Sequence, residues 1–375
     1  MYLGVQQMKL ADIEQFFEAW APRWTAWERD NVGIQVGRRS HRVQRVLIAL
    51  DVTPEVIAEA VKDKADTIIS HHPLLYRPPS SISDSDDVGA MALSLAEKKI
   101  ALYSAHTNLD AAPEGVSFAL AHILGVVRPR FLAPAKESLV KVVVFVPEGH
   151  ADRVANAMAE AGAGVIGEYS SCSFRQKGKG TFRGSASSRP FSGKPLSFEE
   201  VEEIRLEMLA PRARVNAVVR AMKSVHPYEE VAYDLYRLEN ANANFGMGTI
   251  GDLRRPVRLS AFLSKVKKAL KAESVRYAGI LGQEISSVAV CGGGGSELIE
   301  TAIGAGADVL VTADVRYHSY HAAAGRIALI DAGHWETEQV ILPVVAARLK
   351  AWSESHNDRI DIVLTKHMTN PIHSI

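Results

Sequence analysis

The sequence predicts an α/β protein: two pseudo-symmetric α/β halves with a ferredoxin-like α+β domain inserted between them. Three observations predict it. Apolar, strand-length runs alternate with helical stretches over residues 1–130 and again over residues 245–375, the pattern of βα units on a mostly parallel sheet. These two stretches match each other in register. The segment between them, residues 131–244, reads β-α-β-β-α-β, the order of a ferredoxin-like sandwich.

In the first half, Val43 to Asp51 is a strand, and Thr53 and Pro54 open a helix with a cap and a first-turn proline. A second strand runs from Asp66 to Ser70, a helix from Val88 to Lys99, and a third strand from Ile100 to Ser104. Trp20, Trp24 and Trp27 fall at helical spacing and are expected in the core. The last half repeats the plan: strand Ser286 to Cys291, helix Glu297 to Ala305, strands Asp308 to Thr312 and Ile327 to Asp331. At an offset of about 242 positions, Glu55, Ile57, Ala60, Ala65 and Asp66 meet Glu297, Ile299, Ala302, Ala307 and Asp308. In this register His72 corresponds to Asp314; after a change of spacing Ile100-Ala101-Leu102 meets Ile327-Ala328-Leu329, and the His106–Asp110 segment corresponds to the His334–Glu338 segment. Such a duplication would bring the strand ends of both halves to one cleft.

The middle segment begins with a strand from Leu139 to Val146, a helix from Ala151 to Ala161 and a strand from Ile166 to Arg175. A Gly/Ser/basic stretch, Gln176 to Lys194, reads as a solvated hairpin. A strand from Val201 to Leu209, a helix from Pro211 to Ser224 and a strand from Val231 to Leu238 complete it. Arg128–Arg130 and Asn240–Asn244 are expected to be linkers.

Bulk properties exclude several classes. The 375 residues are 47% hydrophobic and 23% charged, ordinary for a globular protein. Lys plus Arg equals Asp plus Glu, 43 each, so no global field favours nucleic acid or an anionic membrane. Cys172 and Cys291 lie far apart without CxxC spacing, which argues for a reducing compartment and against a disulfide framework or thiolate zinc site. No secretory leader pattern and no membrane-length apolar run is visible. A soluble cytoplasmic protein is expected.

The chemistry gathers at strand ends. Ser70-His71-His72-Pro73 follows the apolar run 66–69, His106-Thr107-Asn108-Leu109-Asp110 follows 100–103, and Gly333-His334-Trp335-Glu336-Thr337-Glu338 follows 327–330. Neighbouring histidines on an extended chain start on opposite faces, one packed and one exposed, but a strand end turning into Pro73 can aim both inward. His334 and Glu338 stand one helical turn apart and so share a face, whereas Glu336 at i+2 does not. Asp110 would otherwise serve as a helix cap. Together His71, His72, Asp110, His334 and Glu338 form a thiolate-free set suited to two divalent ions of Zn, Fe, Mn, Co or Ni. Five donors exceed what one catalytic zinc takes from protein, and paired ions point to hydrolysis of a phosphate ester, amide or amidine. His106 and His318 are candidates to carry protons, with His106 alternatively orienting a ligand. Gly292-Gly293-Gly294-Gly295-Ser296 is neither a Walker A motif nor a dinucleotide fingerprint. It reads as a tight turn or an anion cradle.

These three His-bearing motifs, with Trp27–Gly37 and the Cys291–Gly294 turn, resemble the NIF-three-like family, also known as GTP cyclohydrolase I type 2 homologues or dinuclear-metal hexameric proteins. The middle segment resembles a PII/CutA-like domain through His226-Pro227-Tyr228-Glu229-Glu230 and Gly180-Thr181-Phe182-Arg183. The resemblance implies that His72 and Asp110 hold one metal, His71 and His334 the other, and that Glu338 bridges them. It also implies a homo-oligomer, a toroidal hexamer with its metal sites facing the cavity. The activity it implies is water attack on C8 of a guanine nucleotide with release of formate. Two function classes stand open: a metal-dependent hydrolase of a nucleotide or similar small molecule, and a metal carrier or PII-like sensor.

Overall fold

The computed structural model describes residues 7–77, 79–136 and 138–373; the N-terminal leader reading falls on residues 1–6 and lies outside them. The chain divides into two compact units, Met1–Ala133 with Phe245–Ile375, and Pro134–Asn244.

The first unit contains two sheets. In one, the parallel strands Arg45–Ala49, Thr67–Ser70 and Ala101–Ser104 lie side by side, with Gly33–Val36 antiparallel at one edge and Asp361–Leu364 parallel at the other. In the other, Glu284–Gly294, Val309–Ala313 and Ala328–Asp331 are parallel. Arg276–Ala278 lies antiparallel at one edge; on the other side Asn242–Arg258 pairs antiparallel with Glu284–Gly294, and Val126–Ala135 follows it as the edge strand.

The repeat read from the sequence is visible bond for bond. Asp66 Oδ2 accepts the amides of Gln44 (2.9 Å) and Arg45 (3.1 Å). Asp308 Oδ2 accepts those of Ser286 (2.7 Å) and Ser287 (2.9 Å). The Ala101 amide donates to the Asp66 carbonyl at 2.9 Å, and the Ala328 amide to that of Asp308 at 3.0 Å. Each aspartate joins two strand starts that would otherwise leave amides unpaired.

Period-two alternation sorts the side chains into layers. Val46 and Ile48 face the same core as Val288, Val290 and Ile330, so the two halves share one interior. Leu47 and Ala49 face the helix Pro54–Lys62 on the outer side. Ala289 and Leu310 do the same against Ile299 and Ala302 of the other half. Thr53 caps its helix as expected, its hydroxyl accepting the Val56 amide at 3.3 Å.

The second unit is a four-stranded, wholly antiparallel sheet in the order Phe174–Arg183, Phe198–Pro211, Leu139–Pro147, Tyr233–Leu238. Two helices, Ala151–Glu160 and Val215–Val225, share an apolar core with it.

Four expectations are corrected. Arg128–Arg130 lies within the strand Val126–Ala135, and residues 242–244 begin the strand Asn242–Arg258. Pro129 fits because its strand is the sheet edge, where one missing donor costs little. The strand placed at residues 166–175 begins instead at Phe174 and runs to Arg183, through part of the Gly/Ser/basic stretch. Its pairing with Phe198–Pro211 outweighs the weak strand propensity of Gly178 and Gly180. The helix Leu10–Trp20 stops before Pro22, which has no amide to continue it. Trp20 is therefore buried, but Trp27 is 51% exposed.

Candidate metal centre

The three motifs sit at the C-terminal ends of parallel strands, two adjacent in one sheet and the third in the other, where open α/β sheets place their sites. Thr67–Ser70 leads into His71 and His72, Ala101–Ser104 into His106 and the turn Thr107–Asp110, and Ala328–Asp331 through Gly333 into the helix His334–Glu338. Each imidazole is fixed at Nδ1 by an oxygen. His71 Nδ1 donates to the Ala105 carbonyl (2.8 Å), His72 Nδ1 to Asp51 (2.7 Å), His334 Nδ1 to Asp314 (2.6 Å) and His106 Nδ1 to Asp30 (3.0 Å). The carbonyl can only accept, which assigns the Nδ1–H tautomer to His71 and leaves its Nε2 a lone pair. The carboxylates favour the same arrangement at the other three, and such outer partners orient metal-binding histidines.

The Nε2 atoms converge on Glu338. His72 and His334 approach its Oε2 at 2.9 and 3.1 Å, and His71 approaches Oε1 at 3.8 Å and Asp110 Oδ1 at 3.6 Å. Neither close approach to Oε2 is aligned as a hydrogen bond. Indeed His71 Nε2, Asp110 Oδ1 and Glu338 Oε2 are buried without a hydrogen-bond partner. Three buried acceptors without a hydrogen bond in one cluster are costly together unless a cation joins them. Donor atoms of His71, Asp110 and Glu338 lie within 4.8 Å of one another, as do those of His72, His334 and Glu338. The residues thus fit two ions on either side of Glu338.

This pairing differs from the one the resemblance implies. Asp110 groups with His71, and His334 with His72. The anchors explain it: the Ala105 carbonyl turns His71 toward Asp110, whereas Asp51 turns His72 toward the His334–Glu338 helix.

Charge balance among the protein groups points the same way. Burial pushes the Asp110 carboxyl well above the usual range, and Glu338 adds to the push. Burial also pushes Glu338 up, but the surrounding imidazoles, His71 foremost, hold it well below. Burial pulls His71 down. It pulls His72 down too, but Asp51 and Glu338 outweigh it and raise that imidazole to about 10. Glu338 likewise raises His334 to about 9. A neutral imidazole beside a carboxyl that resists ionisation is a setting that a bound cation would relieve.

His106 joins the cluster: its ring lies 5.3 Å from that of His71 and 5.4 Å from that of His72, with donor atoms of all three within 4.8 Å. Its partner is Asp30 and not Asp110, which is neither a cap nor oriented by it. His318 is exposed on the helix Tyr317–Ala323 and belongs to none of the donor groups found among the described residues. Glu336 turns away and accepts the Asn370 amide at 3.1 Å.

The glycine turn serves the carboxylate and not a phosphate. Gly293 has φ +62°, and a Cβ there would stand 2.2 Å from Glu338 Oε1. The amides of Gly292 and Gly293 are taken by Ser117 (3.3 Å) and Thr337 (3.0 Å). Sequence reasoning did not identify the anchors Asp30 and Asp51, and it noted Asp314 only as the counterpart of His72. It also missed Thr369, whose hydroxyl donates to Asp51 and accepts Trp335 Nε1 at 3.1 Å.

Comparison with known proteins agrees with this architecture. Residues 8–371 match the family described as Duf34/NIF3 (NGG1p interacting factor 3). A Halalkalibacterium halodurans protein named GTP cyclohydrolase 1 type 2 homolog is 40% identical over 369 residues, 97% of this chain and 99% of that one. The Bacillus subtilis protein of the same name is 37% identical over 361 residues, 96% of each chain. The crystal structure of a Bacillus cereus protein related to NIF3 superposes with a TM-score of 0.83 at 38% identity, covering 99% of this chain and 100% of that one. No described helix is long and apolar enough to cross a membrane. With its family matched over nearly the whole length, the chain belongs to the Duf34/NIF3 family.

Proposed function

We propose that the chain is a dinuclear-metal hydrolase acting on a nucleotide or a similar small molecule. The observation that carries this reading is the buried cluster of three atoms that make no hydrogen bond, His71 Nε2, Asp110 Oδ1 and Glu338 Oε2, with His72 and His334 converging on the same glutamate. His71 and Asp110 would hold one ion, His72 and His334 the other, with Glu338 offering an oxygen to each. Divalent ions in such a site supply Lewis-acid polarisation and acidify water at neutral pH.

The chain's own residues do the rest. Asp51 and Asp314 keep Nδ1 of His72 and His334 protonated, so that each presents Nε2 inward. Asp30 holds His106 in the same way at the edge of the cluster, poised to take a proton at Nε2 and return it to a leaving group. The names of the curated relatives favour a guanine nucleotide as the first substrate to try. A ring of six copies, expected from the resemblance, is part of the reading and is checked by light scattering.

The test is turnover by metal-loaded protein across a panel of nucleotides and phosphoesters. Metal-dependent turnover that His71→Ala and Glu338→Ala both abolish is the expected result. Loaded protein that turns over no member of the panel, yet passes its metal to an apoprotein, would establish a metal carrier instead.

A further inference from the structure

The second compact unit holds a cleft of about 710 Å³, within the ordinary size of a small-molecule site. Its floor is the sheet face turned away from the two helices. Gly178 pairs across the strands with Glu203, and Arg205 pairs with both Gln176 and Phe145. Directly paired residues share a face. Ile204 and Leu206, one residue out of phase, enter the apolar core on the other side. Rings of Phe145, Phe182, Phe191 and Tyr228 form the walls. Phe191 is 54% exposed and stands 6.0 Å from Tyr228.

Three acidic and three basic side chains line the cleft, but each basic one is held by a carboxylate outside the lining. Glu203, Glu229 and Glu230 line it, whereas its guanidinium, Arg205, is held by Glu207 at 2.8 Å. Lys177 and Lys179 stand out of phase with Gly178, and their ammonium groups reach Glu148 (2.8 Å) and Glu200 (2.6 Å). The Tyr228 hydroxyl donates to Glu203 Oε1 at 2.8 Å and so fixes that carboxylate. Its other oxygen lies over bare backbone, where a Cβ at residue 180 would stand 2.2 Å away.

Aromatic faces attract cations and tolerate apolar bodies, and carboxylates beside them repel anions. We infer that this cleft binds a small organic cation, a protonated amine carried on an apolar or aromatic body. The ring of the ligand lies among Phe145, Phe191 and Tyr228, and its ammonium group faces Glu203. The His226–Glu230 motif has its role here: Tyr228 is both wall and anchor of the carboxylate. This site is independent of the metal centre and of the proposed hydrolysis.

Calorimetry on the full chain at pH 7 with phenethylamine, phenethyl alcohol and phenylacetate tests the inference, because the three probes share a ring and differ in charge. The amine should bind at least about tenfold more tightly than the alcohol, and phenylacetate should be weakest. A Cβ at Gly178 meets nothing within 4 Å, so Gly178→Val fits the strand, projects into the cleft and should abolish amine binding. Phe191→Ala removes an exposed loop ring without opening the core and should weaken binding about tenfold. No binding of phenethylamine at millimolar concentration, phenylacetate binding as tightly as the amine, or unchanged amine affinity in both variants would overturn it.

Discussion

Replacing Gly293 by alanine perturbs the metal centre through a single methyl group. At φ +62° an alanine pays the left-handed penalty of about 1–2 kcal/mol that glycine escapes. The added Cβ would also stand 2.2 Å from Glu338 Oε1 and 3.2 Å from His334 Cε1. Restoring ordinary contact moves the carboxylate by about 1 Å, beyond the roughly 0.5 Å tolerance of a preorganised site. Glu338 is the one group that faces both donor sets, so both ions should weaken together, by at least roughly 10- to 100-fold. The assay is metal content by mass spectrometry after dialysis against buffered zinc or manganese, with thermal unfolding run beside it. Gly293→Ala should stay folded, lose about 1–2 kcal/mol when stripped of metal, and retain little metal. Full loading at unchanged affinity would refute the placement of Glu338 at the heart of the site.

The remaining predictions concern the residues around it. Asp51→Asn should lower metal affinity roughly 10- to 100-fold, because His72 loses its charged anchor; Thr369→Val, one bond further out, should act in the same direction and less, as zinc titration would show. His106→Gln should leave metal content unchanged and reduce turnover by roughly 10²–10⁴, and a fall in metal content would make it a ligand instead. In metal-stripped protein His72 at about 10 and His334 at about 9 are protonated at pH 7, so loading should release at least about two protons, with Asp110 adding to the count as far as its raised carboxyl is protonated, and should tighten as pH rises. Calorimetry in buffers of different ionisation enthalpy reads that count. Because both values are raised above the unfolded value of about 6.5, their stabilisation of stripped protein is full below that pH and lost as pH climbs through 9 to 10. A stripped protein whose stability rises over that range would contradict these pairings.

The legible parts of the fold and site share a physical cause. Thr67–Ser70, Ala101–Ser104 and Ala328–Asp331 are buried at every position, so their central residues are apolar and no polar alternation interrupts them. The polar residues just beyond them then emerge at the C-terminal ends of the strands in both sheets. That is why His71, His72, Asp110, His334 and Glu338 were readable together. The anchors were not: Asp51 lies 21 residues from His72, Asp30 lies 76 from His106, and Thr369 lies 318 from Asp51. A single carboxylate or hydroxyl acquires such a role only through folding. The edge strands were hidden for another reason. Gly33–Val36 and Arg276–Ala278 are too short for a period to register, and Phe174–Arg183 is so exposed that no apolar alternation marks it. The duplication was the most productive signal, since the paired roles of Asp66 and Asp308 follow from it directly.

Anomalous diffraction from crystals of the metal-loaded protein tests the central claim most directly. Two anomalous peaks should lie on either side of Glu338, one against His71 and Asp110 and the other against His72 and His334. A loaded crystal with no peak in that cluster, or with its metal held elsewhere in the chain, would contradict the account.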